Sequence, residues 1–363
     1  KLLACFGSPQ AVFEQTETAL CQVATPKQAQ ALMTVPNELA VQCVRTHQWL
    51  MHQPDTHTHA LWTLGDAHYP AELLQLTDPP LMIYVAGQTE RTLGNAVAIV
   101  GSRNPTPQGA QTAEQFGEAL STAGLCVVSG LALGVDGAAH KGALRGGKIR
   151  NDASIPAQQW HTVGVVGTGL DRVYPRQHQA LAHEIARNGL LISEYHLGTA
   201  PLAHNFPKRN RLIAALGLGT LVVEAALKSG SLITAKMALD LNREVLAIPG
   251  SIHATQSHGC HALIRQGAKL VENAHDVLEE LRLAPQQQVN LFADALGTED
   301  GAPRDETEHP LLAQMGYAPV SLDALQARCG LNTATLQAQL LTLELDGAVG
   351  RLPGGLFQRL APA

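Results

Sequence analysis

The chain has 363 residues, 45% of them hydrophobic and 15% charged, which is enough apolar material for two or three domains with sizeable cores. A net charge of −6 excludes a uniformly basic surface, so any affinity for a polyanion has to come from a local cluster of Lys and Arg. Cys5, Cys21, Cys43, Cys126, Cys260 and Cys329 form no C-x-x-C pair, no apolar run reaches the roughly 18 residues needed to span a bilayer, and no signal-peptide pattern opens the chain; a disulfide scaffold, a zinc finger and a membrane span are excluded, and the expected location is the cytoplasm.

Residues 1–65 carry short helical patterns, such as Leu39, Ala40, Cys43 and Val44 on one face, and predict a small helical domain. The stretch 47–60 is rich in His and Thr and reads as a connecting loop; His47, His52, His57 and His59 lack a second ligand cluster that would suggest a metal. Residues 66–284 are expected to form a Rossmann-like core. From Asn95 onward, short apolar runs (Ala96–Val100, Leu125–Ser129, Thr162–Val166, Leu190–Ser193, Thr220–Val223, Val245–Ile248) alternate with helical stretches such as Ala110–Ala123 and Ala180–Asn188. That alternation predicts an α/β fold with a doubly wound, mainly parallel sheet. Residues 285–308 read as a polar linker, and residues 309–363 as a winged-helix-like domain. There Ser321 and Asn332 are helix N-caps and a hairpin turns at Pro353-Gly354-Gly355.

Ligands of doubly wound sheets bind at the carboxyl ends of the strands. Here those ends carry Gly101-Ser102-Arg103, Ser129 through Asp136, Gly167-Thr168-Gly169 with Tyr174-Pro175-Arg176, Phe206 with Lys208-Arg209-Asn210-Arg211, and Ser229-Gly230-Ser231. Glycines let backbone N–H groups approach phosphate, and the basic side chains add positive potential. With Phe206 as an aromatic face for a base, the combination suits a sugar-phosphate strand. Arg209 and Arg211 could equally form structural ion pairs with Glu194 or Glu224, and Phe206 could be a core plug.

Three enzyme motifs fail. Gly142 to Lys148 nearly matches a phosphate-binding loop, but Ile149 stands where Ser or Thr is required. No G-x-G-x-x-G follows the first strand, and His253, His258, Cys260 and His261 match no usual zinc spacing.

Taken in order, the loops resemble the DNA processing protein A (DprA/Smf) family. The matching stretches are Gly101-Ser102-Arg103; Ser129 to Asp136 with His140 and Gly142-Ala143-Leu144; Gly167 to Asp171 with Tyr174-Pro175; Phe206-Pro207 with Arg209-Asn210-Arg211; Val223-Glu224-Ala225; Ser229-Gly230-Ser231 with Thr234-Ala235; Pro249-Gly250; and Gly259-Cys260 with Gly267-Ala268. The resemblance implies sequence-independent binding of single-stranded DNA, a homodimer, and delivery of DNA to a RecA-type recombinase in natural transformation, with no cofactor, no metal and no catalysis. Residues 146–160 depart from it, being longer than the family's usual connection and carrying Lys148, Arg150 and Trp160. A nucleotide phosphoribohydrolase-like enzyme is the alternative, because Glu224 precedes a Ser229-Gly230-Ser231 turn; the Pro-Gly-Gly-x-Gly-Thr run of such enzymes is absent. A pure protein-interaction scaffold is a third reading. The candidate recognition helix from Asn332 carries no Lys or Arg near its start, while Asp305, Glu306, Glu308, Asp323, Glu344 and Asp346 make the C-terminal module acidic. It is therefore expected to contact protein or regulate the core rather than read duplex DNA, with Leu336, Leu340 and Leu343 as its core.

Overall fold

The computed structural model describes residues 1–152, 158–283, 309–317, 319–352 and 354–360. The expected linker 285–308, Pro353 of the hairpin turn and part of the 146–160 stretch lie outside the described residues, as do Asp305, Glu306 and Glu308.

The chain divides into two compact units, Lys1–His52 and Gln53–Ala363. The first holds five helices, α1 (Leu2–Phe6), α2 (Pro9–Phe13), α3 (Glu17–Leu20), α4 (Pro26–Met33) and α5 (Leu39–Met51). Ser8, Thr16 and Thr25 cap the second, third and fourth by accepting from backbone N–H groups three residues on, and Val12, Leu20 and Ala29 form a small core.

The second unit opens with β1 (Thr58–Thr63), β2 (Met82–Gly87), β3 (Ala96–Gly101), α6 (Pro107–Thr122), β4 (Cys126–Ser129), α7 (Val135–Asp152) and β5 (Thr162–Val165). It continues with α8 (Gln179–Asn188), β6 (Leu190–Ser193), α9 (Asn205–Leu216), β7 (Gly219–Val223), α10 (Ser231–Asp240), β8 (Glu244–Ala247), α11 (His258–Arg265), β9 (Lys269–Leu270) and α12 (Ala274–Glu280). The nine strands pair in the order β1-β2-β6-β5-β4-β3-β7-β8-β9. From β6 to β9 every pairing is parallel, whereas β1–β2 and β2–β6 are antiparallel. The chain thus winds outward from β3 through β6, then returns to lay β7 beside β3 (Val97 to Gly101 against Gly219 to Val223) before winding the other way. This is the doubly wound architecture expected, and its topological switch point, the crevice where such folds place ligands, lies between β3 and β7. Apolar cores cover both faces, which is why the central strands read as unbroken apolar runs.

Two elements differ from expectation. Residues 47–60 form a shorter connecting loop than expected, 52–57: His47 lies on α5, which runs to Met51, and β1 begins at Thr58. The strand joins the large sheet and buries Trp62, whose indole stacks on Trp160 at 6.2 Å. Polar Thr and His residues flanking it hide the pattern, because an edge strand packs only part of one face. The second is β2, an apolar strand that precedes the alternating region and inserts antiparallel between β1 and β6.

The near phosphate-binding loop lies wholly inside α7. A Cβ on Gly142 or Gly146 would collide with the backbone of α6 at Glu114 and Glu118, so these glycines serve close packing of α6 on α7. Of the 146–160 stretch, residues 146–152 lie in that helix. Lys148 bonds Glu184 at 3.2 Å, Arg150 is buried against His161 at 2.9 Å, and the buried Trp160 donates Nε1–H to the Gln88 carbonyl at 2.7 Å.

A winged-helix domain follows: α13 (Pro310–Met315), β10 (Val320–Ser321), α14 (Leu322–Cys329), α15 (Thr333–Leu345), β11 (Val349–Leu352) and β12 (Leu356–Arg359), with strand order β10-β12-β11. Ser321 and Asn332 cap their helices, and Leu336, Leu340 and Leu343 are buried with Leu325 and Phe357.

Candidate nucleic-acid interface

At the switch point, β3 runs into Gly101-Ser102-Arg103 and β7 into Glu224. The two ends are clipped together by the Ser102 N–H donating to the Glu224 carbonyl at 2.7 Å. Beside them lies an open cleft of about 460 Å³. Its walls are the Gly101–Asn104 turn, Ala132 and Asp136 from the β4–α7 junction, Arg209 and Asn210 on α9, and Lys228 to Ser231 at the start of α10. Eight of the fourteen residues named from sequence therefore meet in one place: Gly101, Ser102, Arg103, Arg209, Asn210, Ser229, Gly230 and Ser231.

Arg209 is the floor. It is only 4% exposed and faces Asp136, itself buried. The Asp136 carboxylate accepts from the backbone N–H groups of Gly130 at 3.1 Å and Ala132 at 3.4 Å. A side chain on Gly130 would occupy the space of the Arg209 guanidinium, so glycine there is what lets the arginine in. Burial pushes the Arg209 guanidinium down to about 10, opposed by the Asp136 charge. Burial also raises the Asp136 carboxyl, opposed by Arg209 and by the two backbone donors. The sequence offered Glu194 or Glu224 as the acid for Arg209, and the structure assigns Asp136 instead. Glu194 is taken by Arg211, whose Nη2 reaches its carboxylate at 2.6 Å; Glu224 points elsewhere, held by Thr106.

The rim is cationic and aromatic. Phe206 sits in the first turn of α9, half-buried, with its ring against the backbone of Gly167. The Arg103 guanidinium lies over the ring at 5.7 Å from its centroid, and Tyr174 tilts against it at 5.6 Å. Tyr174 is 47% exposed, so the aromatic face is larger than the single ring expected from sequence. Asn205 anchors this turn by donating its side-chain N–H to the Gly167 carbonyl at 3.1 Å. Arg103, Arg176, Lys208 and Lys228 are exposed, and among the described residues none has a carboxylate within ion-pair reach. The acids of this edge are satisfied inward, and its cations face outward.

Not every candidate reaches the rim. Gly169 is buried in its own loop, where its N–H donates to the Thr199 carbonyl at 3.2 Å. Arg211 is spent on Glu194. Conversely, Tyr174, Asn104, Lys228 and Asp136 belong to the cleft or its rim and were not singled out as binding residues; the Tyr174-Pro175 pair after the third parallel strand was the signal for the first.

The histidines bond to backbone. His258 Nε2 meets the Ile252 carbonyl at 2.9 Å, and His261 Nε2 the Gly250 carbonyl at 3.0 Å. Among the described residues no group of three or more His, Cys, Asp or Glu is placed to hold a metal, and no helix is long and apolar enough to cross a membrane.

A family model described as DNA recombination-mediator protein A matches residues 60–282, and one described as the DprA winged helix domain matches residues 298–355. The chain belongs to this DprA family. Protein Smf of Escherichia coli is 37% identical over 336 residues, covering 91% of this chain and 84% of that one. The DNA processing protein DprA of Streptococcus pneumoniae is 44% identical over 220 residues, 60% of this chain and 73% of that one. The crystal structure of S. pneumoniae DprA superposes with a TM-score of 0.63 at 34% identity, covering 77% of this chain and 91% of that one. A solved structure of Helicobacter pylori DprA, described for its single-stranded DNA binding mode, superposes with a TM-score of 0.52 at 30% identity, covering 61% of this chain and 95% of that one. The mixed α/β core and the winged-helix domain are thus both features of DprA proteins.

Proposed function

We propose that the β3–β7 edge of this DprA-family chain binds single-stranded DNA without sequence preference. The observation that carries this reading is the stack of Arg103, Phe206 and Tyr174 beside a cleft floored by Arg209 and rimmed by exposed cations. Charge follows the backbone, and an aromatic face accepts any base. Titration of labelled homopolymeric and mixed oligonucleotides, with duplex as competitor, tests it. Similar affinities for the single strands at one salt concentration are expected; strong preference for duplex or for one sequence would refute it. Of the residues named from sequence, Gly167, Arg176, Phe206 and Lys208 belong to this proposal beside the eight that line the cleft, with Gly169 and Arg211 standing behind the rim.

From the family resemblance we carry over a cytoplasmic location, a homodimer, and delivery of the bound strand to a RecA-type recombinase during transformation. Sedimentation and recombinase-filament assembly on coated DNA test the last two. The domain division expected from sequence, 1–65, 66–284, 285–308 and 309–363, is carried as part of this proposal; the compact units part at His52.

A phosphoribohydrolase reading is not favoured. Glu224 does not line the cleft with Ser229, Gly230 and Ser231, and both its oxygens are engaged by Thr106. Release of free base from a nucleoside monophosphate, abolished by Glu224→Gln, would reverse that judgement.

A further inference from the structure

The far side of the β7 end faces a second cleft, of about 300 Å³, where the winged-helix domain meets the core. Its core wall is the first turn of α6 with Glu224 and the segment from Ile248 to Ser257; its other wall is Tyr317, Pro319 and Gln358 of the winged-helix domain. The two walls are joined by Gln358, which is 5% exposed and donates Nε2–H to Gln108 Oε1 at 2.9 Å and to the Tyr317 carbonyl at 3.0 Å. Its own Oε1 is buried and has no partner. A buried acceptor left unpaired is costly, and such atoms are rare in folded proteins unless a ligand or water completes them.

The second acceptor is Glu224. Its backbone is held at φ 52°, in the left-handed region disfavoured for a side chain of this size, and its carboxylate accepts from Thr106 N–H at 2.8 Å and from the Thr106 hydroxyl. Burial raises its carboxyl against those two bonds. No cation pairs with it among the described residues. Around these acceptors Val223, Ile248, Pro249, Ala254 and Pro319 supply apolar wall between polar residues such as Thr112, Ser251 and Ser257. Apolar wall with convergent polar atoms is the build of a small-molecule site. Two acceptors call for an N–H donor, and the carboxylate repels a phosphate. Gln and Glu side chains accept from the amino groups of adenine and cytosine.

We propose that this cleft binds an amino-bearing nucleobase, presented as a nucleoside without its phosphate, and that the occupant bridges the winged-helix domain to the core. The site is separate from the cleft of the DNA rim and does not depend on the function assigned there.

Isothermal titration of the full chain with deoxyadenosine, deoxycytidine, thymidine, deoxyadenosine 5′-phosphate and methylguanidine tests it. Saturable binding of deoxyadenosine or deoxycytidine is expected, with thymidine and the 5′-phosphate each roughly tenfold weaker or more. Gln358→Met removes the unpaired acceptor and Ala254→Leu fills the cleft from the core side. Each should weaken nucleoside binding by about tenfold while leaving oligonucleotide affinity unchanged; Ala254→Leu should also leave the circular-dichroism melt unchanged, whereas Gln358→Met lowers it through the two lost Nε2 bonds. Absence of saturable nucleoside binding, equal binding by both variants, equal binding of thymidine or the 5′-phosphate, or binding of methylguanidine alone overturns the proposal.

Discussion

Replacing Arg103 by Ala removes two things at once: an exposed cation at the end of β3, and the guanidinium that lies 5.7 Å from the centroid of Phe206. The first has a calculable consequence. A phosphate contact on a single strand contributes a slope of about −0.7 in log K against log salt. At about 0.1 M salt, one such contact is therefore worth about 0.7 log units, close to fivefold or about 1 kcal/mol, and near 1 M it is worth almost nothing. The second loss is a cation–π contact of about 0.5–1 kcal/mol at an exposed site, and it depends far less on salt because it lies within the protein. Fluorescence anisotropy with labelled oligonucleotides between about 0.05 and 0.4 M salt separates the two. The variant line should be shallower by about 0.7 and lie below the wild-type line throughout, with the gap narrowing as salt rises. Arg103→Lys should keep the slope and lose only part of the offset, since an ammonium holds a phosphate but lacks the planar face. An unchanged slope in Arg103→Ala, or a loss confined to one base composition, would refute the assignment of this side chain to the backbone of the strand.

Phe206→Ala should cost on the order of 1–3 kcal/mol of oligonucleotide affinity with little change in salt slope, read in the same titration; a pure slope change would mean the ring only props Arg103. Arg209→Met should cost about 3–5 kcal/mol of folding stability near neutral pH, because it strands the buried Asp136 charge. The Asp136 carboxyl is already raised in the folded state, and the substitution raises it further. Stability contributed by such a group is complete below the unfolded carboxylate pKa and is lost as pH rises through the folded one. Urea midpoints of the variant should therefore fall further below wild type at pH 8 than at pH 5, and a constant gap would count against the pairing. A chain ending at Leu283 should retain most of its single-strand affinity in anisotropy, since no residue of the winged-helix domain lines the β3–β7 cleft; loss of binding would place part of the site beyond that point.

The architecture was legible because parallel strands buried on both faces betray themselves. Ala96–Gly101, Leu190–Ser193 and Gly219–Val223 are runs that only a covered sheet can hide. The winged helix was legible from its caps, Ser321 and Asn332. What sequence could not supply was lateral order and partner choice. Nothing in Thr58–Thr63 states that it pairs with β2 at the sheet edge, and nothing in Asp136 states that it faces Arg209 across a gap of more than seventy residues. Ion pairs between distant segments are set by the fold, so Glu194 and Glu224, closer in sequence, were the natural but wrong partners for Arg209. Tyr174 reads in the sequence as a motif residue and not as a stacking face, because its loop gives no hint that it returns to α9.

How a chain with a net charge of −6 presents a cationic edge follows from where the acids at the switch point go. Asp136 turns into the β4–α7 junction and is consumed by two backbone N–H groups and Arg209. Glu194 is consumed by Arg211. Glu224, at the tip of β7 and a few residues before Ser229, would sit at the mouth of the cleft and repel a phosphate if its side chain followed the strand. The left-handed backbone at that residue turns its carboxylate to Thr106 and the opposite cleft, while its carbonyl stays behind to clip Ser102. Strain at one residue thus separates the two charges that the sequence sets close together. Replacing Glu224 by Gly would relieve the strain and keep the backbone clip to Ser102, but Thr106 at the start of α6 would lose both bonds to the carboxylate, so the tie between α6 and the end of β7 would go before the cleft lost any cation.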